Sequence, residues 1–280
     1  MKIIIHGGFF SESATNQETK KAKQDALANI VQKAYDYLQT HTALETVVFA
    51  TALLEDNELF NAGLGSQIQS DGKVRLSASL MDGQSQKFSG VINIENVQHP
   101  IQIAEQLLSY DDRVLSGDGA LAFARGKGFN FYDPITPQRR QEYETRRDES
   151  LRKGTVGCVA LDQYGYLAAA TSTGGKGFEI PCRVSDSATV AGNFANRYAA
   201  ISCTGVGEDI VSAGLATKIV TRVTDGFTLQ KACDKSFEEL KAINGFAGVI
   251  GITASGEIYH TDSHPYMVWA AFDKALIVFE

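Results

Sequence analysis

Gly154-Thr-Val-Gly-Cys-Val-Ala-Leu-Asp162 is the stretch that decides the fold of this 280-residue chain. It is an apolar run of small residues, and a second such run, Tyr166 to Thr171, follows after Asp162-Gln-Tyr-Gly165. Two runs of this kind around a short turn with a glycine are typical of a hairpin of buried strands. Thr155 is therefore predicted to occupy the first position of a buried strand.

The segment before this hairpin has a different composition. From Pro134 to Gly154 the chain is charged and carries few apolar anchors, with the sequence Gln138-Arg-Arg-Gln-Glu-Tyr-Glu-Thr-Arg-Arg-Asp-Glu-Ser-Leu-Arg-Lys-Gly154. Such a segment is an exposed linker or a solvated helix. A charged linker that ends in glycine thus leads directly to Thr155.

Thr155 is a candidate nucleophile. A threonine hydroxyl needs a base to take its proton, and one known base is the threonine's own α-amine, which a cut after Gly154 would free. With a reference pKa of roughly 7.7 to 8.0, that amine is substantially neutral near physiological pH. Gly154 lacks a Cβ and so permits the backbone geometry that attack on its own carbonyl requires. On composition alone, however, Gly-Thr at this place is typical of a turn followed by a β-branched strand residue.

The surrounding motifs favour the nucleophile. In order and spacing, they closely resemble those of the plant-type asparaginase and isoaspartyl peptidase family of N-terminal nucleophile hydrolases, over nearly the whole chain. Besides the hairpin, the motifs are Ile5-His-Gly-Gly8, Leu53-Leu-Glu-Asp-Asn-Glu-Leu-Phe-Asn-Ala-Gly-Leu-Gly65, Met81-Asp-Gly83, Leu167-Ala-Ala-Ala-Thr-Ser-Thr-Gly-Gly175, Arg183-Val-Ser-Asp186, Ser202-Cys-Thr-Gly-Val-Gly-Glu208 and the Gly248 to Gly256 hairpin.

The resemblance implies a set of catalytic groups. Thr155 would attack the side-chain carbonyl of an asparagine or a β-linked aspartyl residue and form an acyl-enzyme that water resolves. Thr173 corresponds to the family's second threonine, which contacts and polarises the nucleophile. Thr204 and Gly205 correspond to the oxyanion hole, and Asn61 to a residue beside the nucleophile. Taken alone, each of these residues is equally typical of a turn or a strand end.

The resemblance also implies how the substrate is held. Arg183 would meet the α-carboxylate of a zwitterionic substrate and Asp186 its α-ammonium, while Gly207 would let backbone and ligand approach closely. An Arg and an Asp three residues apart are otherwise often a solvated surface pair.

One monovalent cation is implied as well, and no cofactor for the chemistry. The loop from Leu54 to Leu64 resembles the family's sodium-binding loop, in which backbone carbonyls hold a structural sodium ion. The carbonyls are those of Leu54, Glu55, Asn57, Phe60, Ala62 and Leu64. His6 is expected to be a hydrogen-bonded structural histidine, because the amine already supplies the base.

Four residues depart from the family's pattern. Phe9 and Phe10 follow the first glycines, where small residues are typical, and are expected to reshape the entrance to the site. Ser77 stands where an aspartate is common. Ser185 replaces a glycine and is expected to narrow the substrate pocket.

These departures leave several functions open. The motifs favour the asparaginase and isoaspartyl branch, followed by a glycosylasparaginase and then a sequence-specific endopeptidase of the threonine aspartase kind. A chain that kept the fold but lost the cut would be a non-enzymatic binding protein.

The remaining patterns indicate an α+β protein. Strands and helices come in blocks, which favours packed sheets flanked by helices. Helices are predicted around Ala26 to Leu38, from the capping box Thr42 to Glu45 and from Pro100, and a half-buried strand at Val74 to Leu80. Further strands are predicted at Val190 to Ala195, Ala199 to Cys203, Ala247 to Thr253 and Ala275 to Phe279, and helices at Glu208 to Val223 and Leu229 to Ile243.

The family's architecture is a four-layer αββα sandwich with two antiparallel sheets. The resemblance therefore implies a single domain, residues 1–280, that cuts itself into an α-subunit (1–154) and a β-subunit (155–280). Two such pairs would form a dimer of αβ heterodimers.

Composition limits the partners and the compartment. The 26 basic and 33 acidic side chains give a formal charge of −7, which argues against nucleic acid as a partner. The substrate that the resemblance implies is a small molecule or a dipeptide. Met1 to Ile5 is expected to be a strand rather than a leader, and no membrane segment is predicted. Four cysteines without C-x-x-C spacing suggest neither a zinc site nor disulfides, so a reduced, cytoplasmic compartment is expected.

Overall fold

The computed structural model describes residues 1–9, 16–145, 154–264 and 266–280. These contain eight α-helices and twelve strands. The helices are α1 Gln17–Leu38, α2 Ala43–Glu55, α3 Pro100–Leu107, α4 Gly117–Gly126, α5 Pro137–Glu144, α6 Gly207–Ala213, α7 Leu215–Thr224 and α8 Leu229–Ala242. The strands are β1 Lys2–Phe9, β2 Leu76–Asp82, β3 Lys87–Ile94, β4 Val114–Ser116, β5 Val156–Leu161, β6 Leu167–Thr173, β7 Asn193–Ala195, β8 Ala199–Gly205, β9 Ala247–Thr253, β10 Ile258–Asp262, β11 Met267–Phe272 and β12 Leu276–Val278.

The strands form two sheets, which confirms a mixed α+β fold. The larger sheet has the order β12-β11-β1-β5-β6-β2-β3-β4, and the smaller has the order β10-β9-β8-β7. Both were predicted to be antiparallel, and one pair differs: β4 runs parallel to β3. The chain between these two strands contains α3, and a crossover through a helix is the connection that parallel neighbours need.

The two sheets lie face to face, with helices against their outer faces. Strands β1, β5 and β6 contact strands β8 and β9 of the smaller sheet. Helices α1, α2 and α3 pack against the larger sheet, and α7 and α8 against the smaller one. The central strands are therefore covered on both sides, which explains why their sequences are almost continuously apolar.

The prediction of a half-buried strand at Val74 to Leu80 was wrong in one respect. Strand β2 begins at Leu76 and is buried on both faces. Its polar positions are small and hydrogen-bonded, as shown by Ser79, whose hydroxyl donates to the carbonyl of Ser187 at 2.6 Å. The alternating pattern thus identified one apolar face of the strand. It did not indicate that the other face, which carries the serines, is buried as well.

The predicted helices are present, and local signals set their ends. Thr42 and Glu45 form the expected capping box at the start of α2, and Pro100 is the first residue of α3. The helix predicted at Glu208 to Val223 is instead two helices, because Gly214 adopts the left-handed conformation (φ 57°) between α6 and α7. Glycine tolerates this conformation, which ends a helix.

Part of the charged linker is a docked helix. Thr136 caps α5 with its side chain, and the buried Arg139 donates from Nε to the carbonyl of Gly65 at 2.7 Å. The linker prediction for residues 146–153 lies outside the described residues. Helix α5 therefore fixes the start of the linker to the loop before β2, while Gly154 marks its end.

Strand β5 lies in the middle of the larger sheet, between β1 and β6. Gly157 pairs with His6 of β1, and a Cβ at Gly157 would come 2.0 Å from Oγ of Ser202 on the smaller sheet. Because alternate residues of a strand share a face, Thr155 is directed toward the smaller sheet as well. The nucleophile candidate thus starts between the two sheets.

The surroundings of His6 support the structural role expected for this residue. Its ring is fully buried, and Nε2 lies 3.0 Å from the hydroxyl of Ser202. Burial lowers the pKa of His6 to about 3, against a smaller opposing effect of the Thr155 backbone. The imidazole is therefore neutral and belongs to the hydrogen bonds between the sheets.

Candidate active site

Thr155 lies immediately before β5 and is almost fully buried. Its hydroxyl donates to Oγ1 of Thr173 at 3.3 Å and lies 3.5 Å from Oγ of Ser187. Thr173 is the last residue of β6, whose neighbour Ser172 pairs with Val156. The antiparallel ladder thus brings the two threonines together at one end of the hairpin.

The carbonyl of Gly154 accepts two hydrogen bonds. Nδ2 of Asn61 donates to it at 2.8 Å and Oγ1 of Thr173 at 3.2 Å. Asn61 is itself held, because its Oδ1 accepts from the backbone N–H of Gln67 at 2.9 Å and its amide also donates to the carbonyl of Gly175. Two donors on one carbonyl draw electron density from its carbon and stabilise an oxyanion that develops there.

A cleft of about 330 Å³ opens beside these residues. Most of the predicted site residues line it: Gly154, Thr155, Thr173, Arg183, Asp186, Gly205 and Gly207. Asn61 and Thr204 do not line it. Asn61 hydrogen-bonds the Gly154 carbonyl without lining the cleft. Thr204 is the buried neighbour of Gly205 on β8.

Two charged cleft residues were not assigned a role from the sequence. Glu208 accepts from Nε and Nη2 of Arg183 at 2.8 and 2.7 Å, and Nζ of Lys176 lies 3.5 Å from Glu208 Oε1. The hydrogen bonds from Arg183 lower the pKa of Glu208 to about 2. Glu208 stands in a quoted motif, but nothing in the sequence indicated that it would meet Arg183.

Asp186 is buried at the base of the cleft. Burial raises the pKa of its carboxyl to about 7, although the nearby Arg183 opposes this. Oδ2 of Asp186 accepts no hydrogen bond from the described residues, and the same holds for the buried hydroxyl of Thr204. Buried polar atoms without partners are costly and uncommon. The carboxyl group of Asp186, which lines the cleft, is thus available to a ligand.

Gly207 brings the charged groups together. A Cβ at this position would lie 2.7 Å from Nη2 of Arg183 and 2.9 Å from Oδ1 of Asp186. Arg183 and Asp186 therefore converge on the space that Gly207 leaves open, as the binding of one zwitterionic group would require.

The residues that depart from the family's pattern lie in different parts of the structure. Ser185 does line the cleft, where its hydroxyl accepts from the N–H of Ser187 at 3.3 Å. Phe9 packs against Phe246 in the core between the sheets, with ring centroids 4.4 Å apart, and does not line the cleft. Ser77 accepts from the backbone N–H of Asn93 at 3.0 Å. Phe10 lies outside the described residues.

Ser187 is a site residue that sequence reasoning missed. Its hydroxyl is fully buried beside the hydroxyl of Thr155. The signal available was its position directly after Asp186, in the short 3-10 turn that carries both residues.

The loop predicted to bind sodium has ligands that suit such an ion. The carbonyls of Glu55 and Asn57 each accept one backbone hydrogen bond and keep a second lone pair, whereas that of Leu54 accepts two, from the N–H groups of Asp56 and Asn57. Those of Phe60, Ala62 and Leu64 accept none from the described part of the chain. Backbone carbonyls are ligands that hard cations prefer, so the residues present fit the ion.

The raised pKa of Asp186 predicts a cost in stability. Its folded pKa, about 7, exceeds its ordinary value of 3.8, so the folded state binds more protons than the unfolded state between these two pH values. The free energy of unfolding should therefore fall as pH rises from about 4 to 7. Asp186→Asn should remove this fall and raise the free energy of unfolding at pH 8 by up to roughly 4 kcal/mol.

Urea denaturation of both proteins at pH 5 and pH 8 measures the difference. Glu239→Gln, at an exposed ion pair with Lys218, is the control and should change stability little. An Asp186→Asn protein less stable than the wild type at pH 8 would contradict the expectation.

Comparisons with known proteins agree with this geometry. Residues 1–278 match the family described as asparaginase. The isoaspartyl peptidase/L-asparaginase of Synechocystis sp. is 44% identical over 287 residues, covering 96% of this chain and 87% of that protein. The isoaspartyl peptidase of Salmonella typhimurium is 35% identical (91% and 90% covered), and the plant-type L-asparaginase of Pyrococcus furiosus 32% identical (98% and 97% covered). Because the match spans almost the whole chain, this protein belongs to the asparaginase family.

Proposed function

We propose that this protein is a hydrolase of isoaspartyl peptides and L-asparagine that first cuts itself between Gly154 and Thr155. One observation carries the proposal: the buried hydroxyl of Thr155 donates to Thr173, which in turn donates to the carbonyl of Gly154. The names of the relatives, isoaspartyl peptidase and L-asparaginase, support the same reaction for this chain.

The fold we infer is a four-layer αββα sandwich of the N-terminal nucleophile hydrolase type, in one domain of residues 1–280. The cut gives pieces 1–154 and 155–280, which share one sheet: β1 pairs with β5 and β11, and β2 pairs with β6. Strands from the two pieces thus alternate, so the pieces remain together until the sheet unfolds.

Self-cleavage follows from the contacts of the intact chain. The hydroxyl oxygen of Thr155 attacks the carbonyl carbon of Gly154 and gives up its proton, and Asn61 and Thr173 stabilise the negative charge on the carbonyl oxygen. The C–N bond then breaks, and the nitrogen takes up the proton that the hydroxyl released to become the free amine of Thr155. Water hydrolyses the remaining ester, which leaves a carboxylate on Gly154 and a free hydroxyl on Thr155.

Turnover uses the same hydroxyl. The amine of Thr155 takes the hydroxyl proton, and the oxygen attacks the side-chain carbonyl of the substrate. Thr204 and Gly205 stabilise the oxyanion, which gives the unpartnered hydroxyl of Thr204 a function. The leaving amine takes the proton, and water hydrolyses the acyl-enzyme to release aspartate.

Arg183 and Asp186 hold the other end of the substrate. The guanidinium receives the α-carboxylate and the buried carboxylate of Asp186 receives the α-ammonium. A non-enzymatic binding protein would not need the donors that converge on the Gly154 carbonyl. Glycosylated asparagine and a target for an endopeptidase remain the alternative substrates, and no contact in the cleft favours either.

The first experiment concerns Thr155. Thr155→Ala should give a folded, uncut and inactive chain, since no other hydroxyl can attack Gly154 from this position. Intact mass under denaturing conditions should show two fragments for the wild type, divided after Gly154, and one mass for the variant. Thr155→Ser, which keeps a hydroxyl, is the matched control and should still be cut. A cut Thr155→Ala chain would refute the assignment.

The second experiment concerns Gly207. Its backbone is helical, so Gly207→Ala introduces no strain, but the methyl group would overlap Arg183 and Asp186. We expect L-aspartate binding, measured by calorimetry on the cut protein, to weaken at least about tenfold. Gly119→Ala is the control, because a Cβ at this helical glycine meets nothing within 4 Å. Equal affinity in both variants would exclude Gly207 from the site.

The third experiment concerns the cation. A sodium ion on the carbonyls between Leu54 and Leu64 would stabilise the loop that carries Asn61. We expect sodium chloride to raise the thermal unfolding temperature by several degrees more than tetramethylammonium chloride at the same ionic strength, as ligand linkage requires. Gly63→Ala, which forces a Cβ to within 2.5 Å of the Glu55 carbonyl in a left-handed backbone, should abolish the difference. Identical curves in the two salts for the wild type would rule out the site.

The assembly stays a prediction. The family resemblance favours a dimer of αβ heterodimers, and native mass is the measurement that decides the assembly. The cysteine pattern favours a reduced, cytoplasmic compartment. Among the described residues, no helix is long and apolar enough to span a membrane.

A further inference from the structure

The guanidinium of Arg183 has two edges that can grip a carboxylate, and only one is used. Glu208 occupies the edge formed by Nε and Nη2, at 2.8 and 2.7 Å. Nη1 makes no hydrogen bond to a described residue. The edge formed by Nη1 and Nη2 therefore still has donors available, in the fork geometry that carboxylates match.

The nitrogen that the two edges share lies on the substrate side of the cleft. Nη2, which belongs to both edges, lies beside Gly207, and the carboxylate of Asp186 approaches the same point from another direction. An α-carboxylate and an α-ammonium share one carbon, so their receptors must converge in this way. Glu208 binds the edge formed by Nε and Nη2, and Nη1 is therefore left without a partner among the described residues.

Glu208 is well placed to hold the guanidinium still. It is in the first turn of α6, directly after Gly207. Its side chain is half exposed, while that of Arg183 is mostly buried (50% and 14%), and Nζ of Lys176 approaches from the solvent side. The carboxylate therefore lies between two cations at the rim, and it orients Arg183 without entering the space beside Asp186.

We propose that Glu208 is a positioning residue that fixes the orientation of Arg183, so that Nη1 and Nη2 receive the α-carboxylate of the substrate. The proposal rests on the proposed function and adds a determinant of substrate specificity to it. A long arginine side chain loses rotamer freedom when it binds a ligand. Because the ion pair with Glu208 already restricts Arg183 in the folded protein, substrate binding does not have to include that loss of entropy. Glu208 thereby favours substrates with a free α-carboxylate.

The opposite arrangement is a competing one, in which Glu208 imitates the substrate and must be displaced. That arrangement would need Glu208 to occupy the edge formed by Nη1 and Nη2, whereas it occupies the edge formed by Nε and Nη2. The two arrangements predict opposite changes when the carboxylate is removed. A positioning residue strengthens substrate binding, so its loss raises KM, whereas loss of a competitor lowers KM.

The test is Glu208→Gln, with Glu208→Ala as a second variant. The matched control is Glu239→Gln, because Glu239 also accepts from one arginine and one lysine, Nη2 of Arg222 and Nζ of Lys218, on the surface of α7 and α8. For a β-aspartyl dipeptide, we expect Glu208→Gln to raise KM about tenfold, which corresponds to one charge-assisted hydrogen bond. The value of kcat should change less than about twofold, and self-cleavage should proceed at the wild-type rate.

Binding of L-aspartate to the cut protein, measured by calorimetry, gives a second readout that needs no turnover. Its dissociation constant should rise in parallel with KM in both Glu208 variants and remain unchanged in Glu239→Gln. A KM and dissociation constant that fall or stay constant would overturn the proposal, as would a loss confined to kcat. If the wild type binds L-aspartate but hydrolyses no β-aspartyl substrate, the proposed function fails, and the binding data alone decide the role of Glu208.

Discussion

The antiparallel ladder between β5 and β6 is the constraint on which the site depends. Because Val156 pairs with Ser172, Thr155 and Thr173 come together at the same end of the hairpin, with their hydroxyls 3.3 Å apart. Backbone hydrogen bonds in the middle of a sheet set this distance, and side-chain rotamers only refine it. A shift of register by one residue would turn Thr155 away from the smaller sheet and remove the hydroxyl from its partners.

The polar groups between the sheets fall into two kinds. Ser202 links His6 to Thr171, with Ser202 Oγ 3.0 Å from Nε2 of the imidazole and 2.7 Å from Thr171 Oγ1, while Nδ1 of His6 has no side-chain partner among the described residues. Asp186 and Thr204 instead keep buried oxygens that no described residue hydrogen-bonds. The hydrogen bonds through Ser202 stabilise the packing, whereas a buried oxygen without a partner lowers stability. Buried atoms without partners also occur outside the cleft, at Thr51 and Glu55, so a place in the cleft is what distinguishes Asp186.

Much of this arrangement could be predicted from the sequence, because its signals are local. The hairpin, the capping box at Thr42 and the helix start at Pro100 each depend on a few consecutive residues. The second buried face of β2 and the parallel pairing of β4 depend on which elements cover a strand, and periodicity does not contain that information. The sequence does show a glycine at position 214, where the helix breaks. A single glycine within a helical pattern, however, does not by itself predict a left-handed residue.

The candidate site also combines features that the sequence predicts with features that it does not. Motif resemblance indicated Thr155, Thr173, Arg183 and Asp186, and the cleft does bring them together. It did not indicate that Arg183 is already paired on one edge by Glu208, since that contact depends on the rotamers of two long side chains 25 residues apart. Sequence thus predicts the residue types that chemistry needs, and the distribution of their hydrogen bonds has to come from three-dimensional geometry.

The donors around Thr155 suggest why one hydroxyl could perform two reactions. Asn61 and Thr173 address the carbonyl of Gly154, whereas Thr204 and Gly205 belong to β8 on the opposite sheet. In the proposed reactions, the carbonyl of the linker and the carbonyl of the substrate approach the same oxygen from different sides. Each then meets its own pair of donors. Self-cleavage therefore need not consume the groups that turnover uses, and the cut prepares the site simply by freeing the amine.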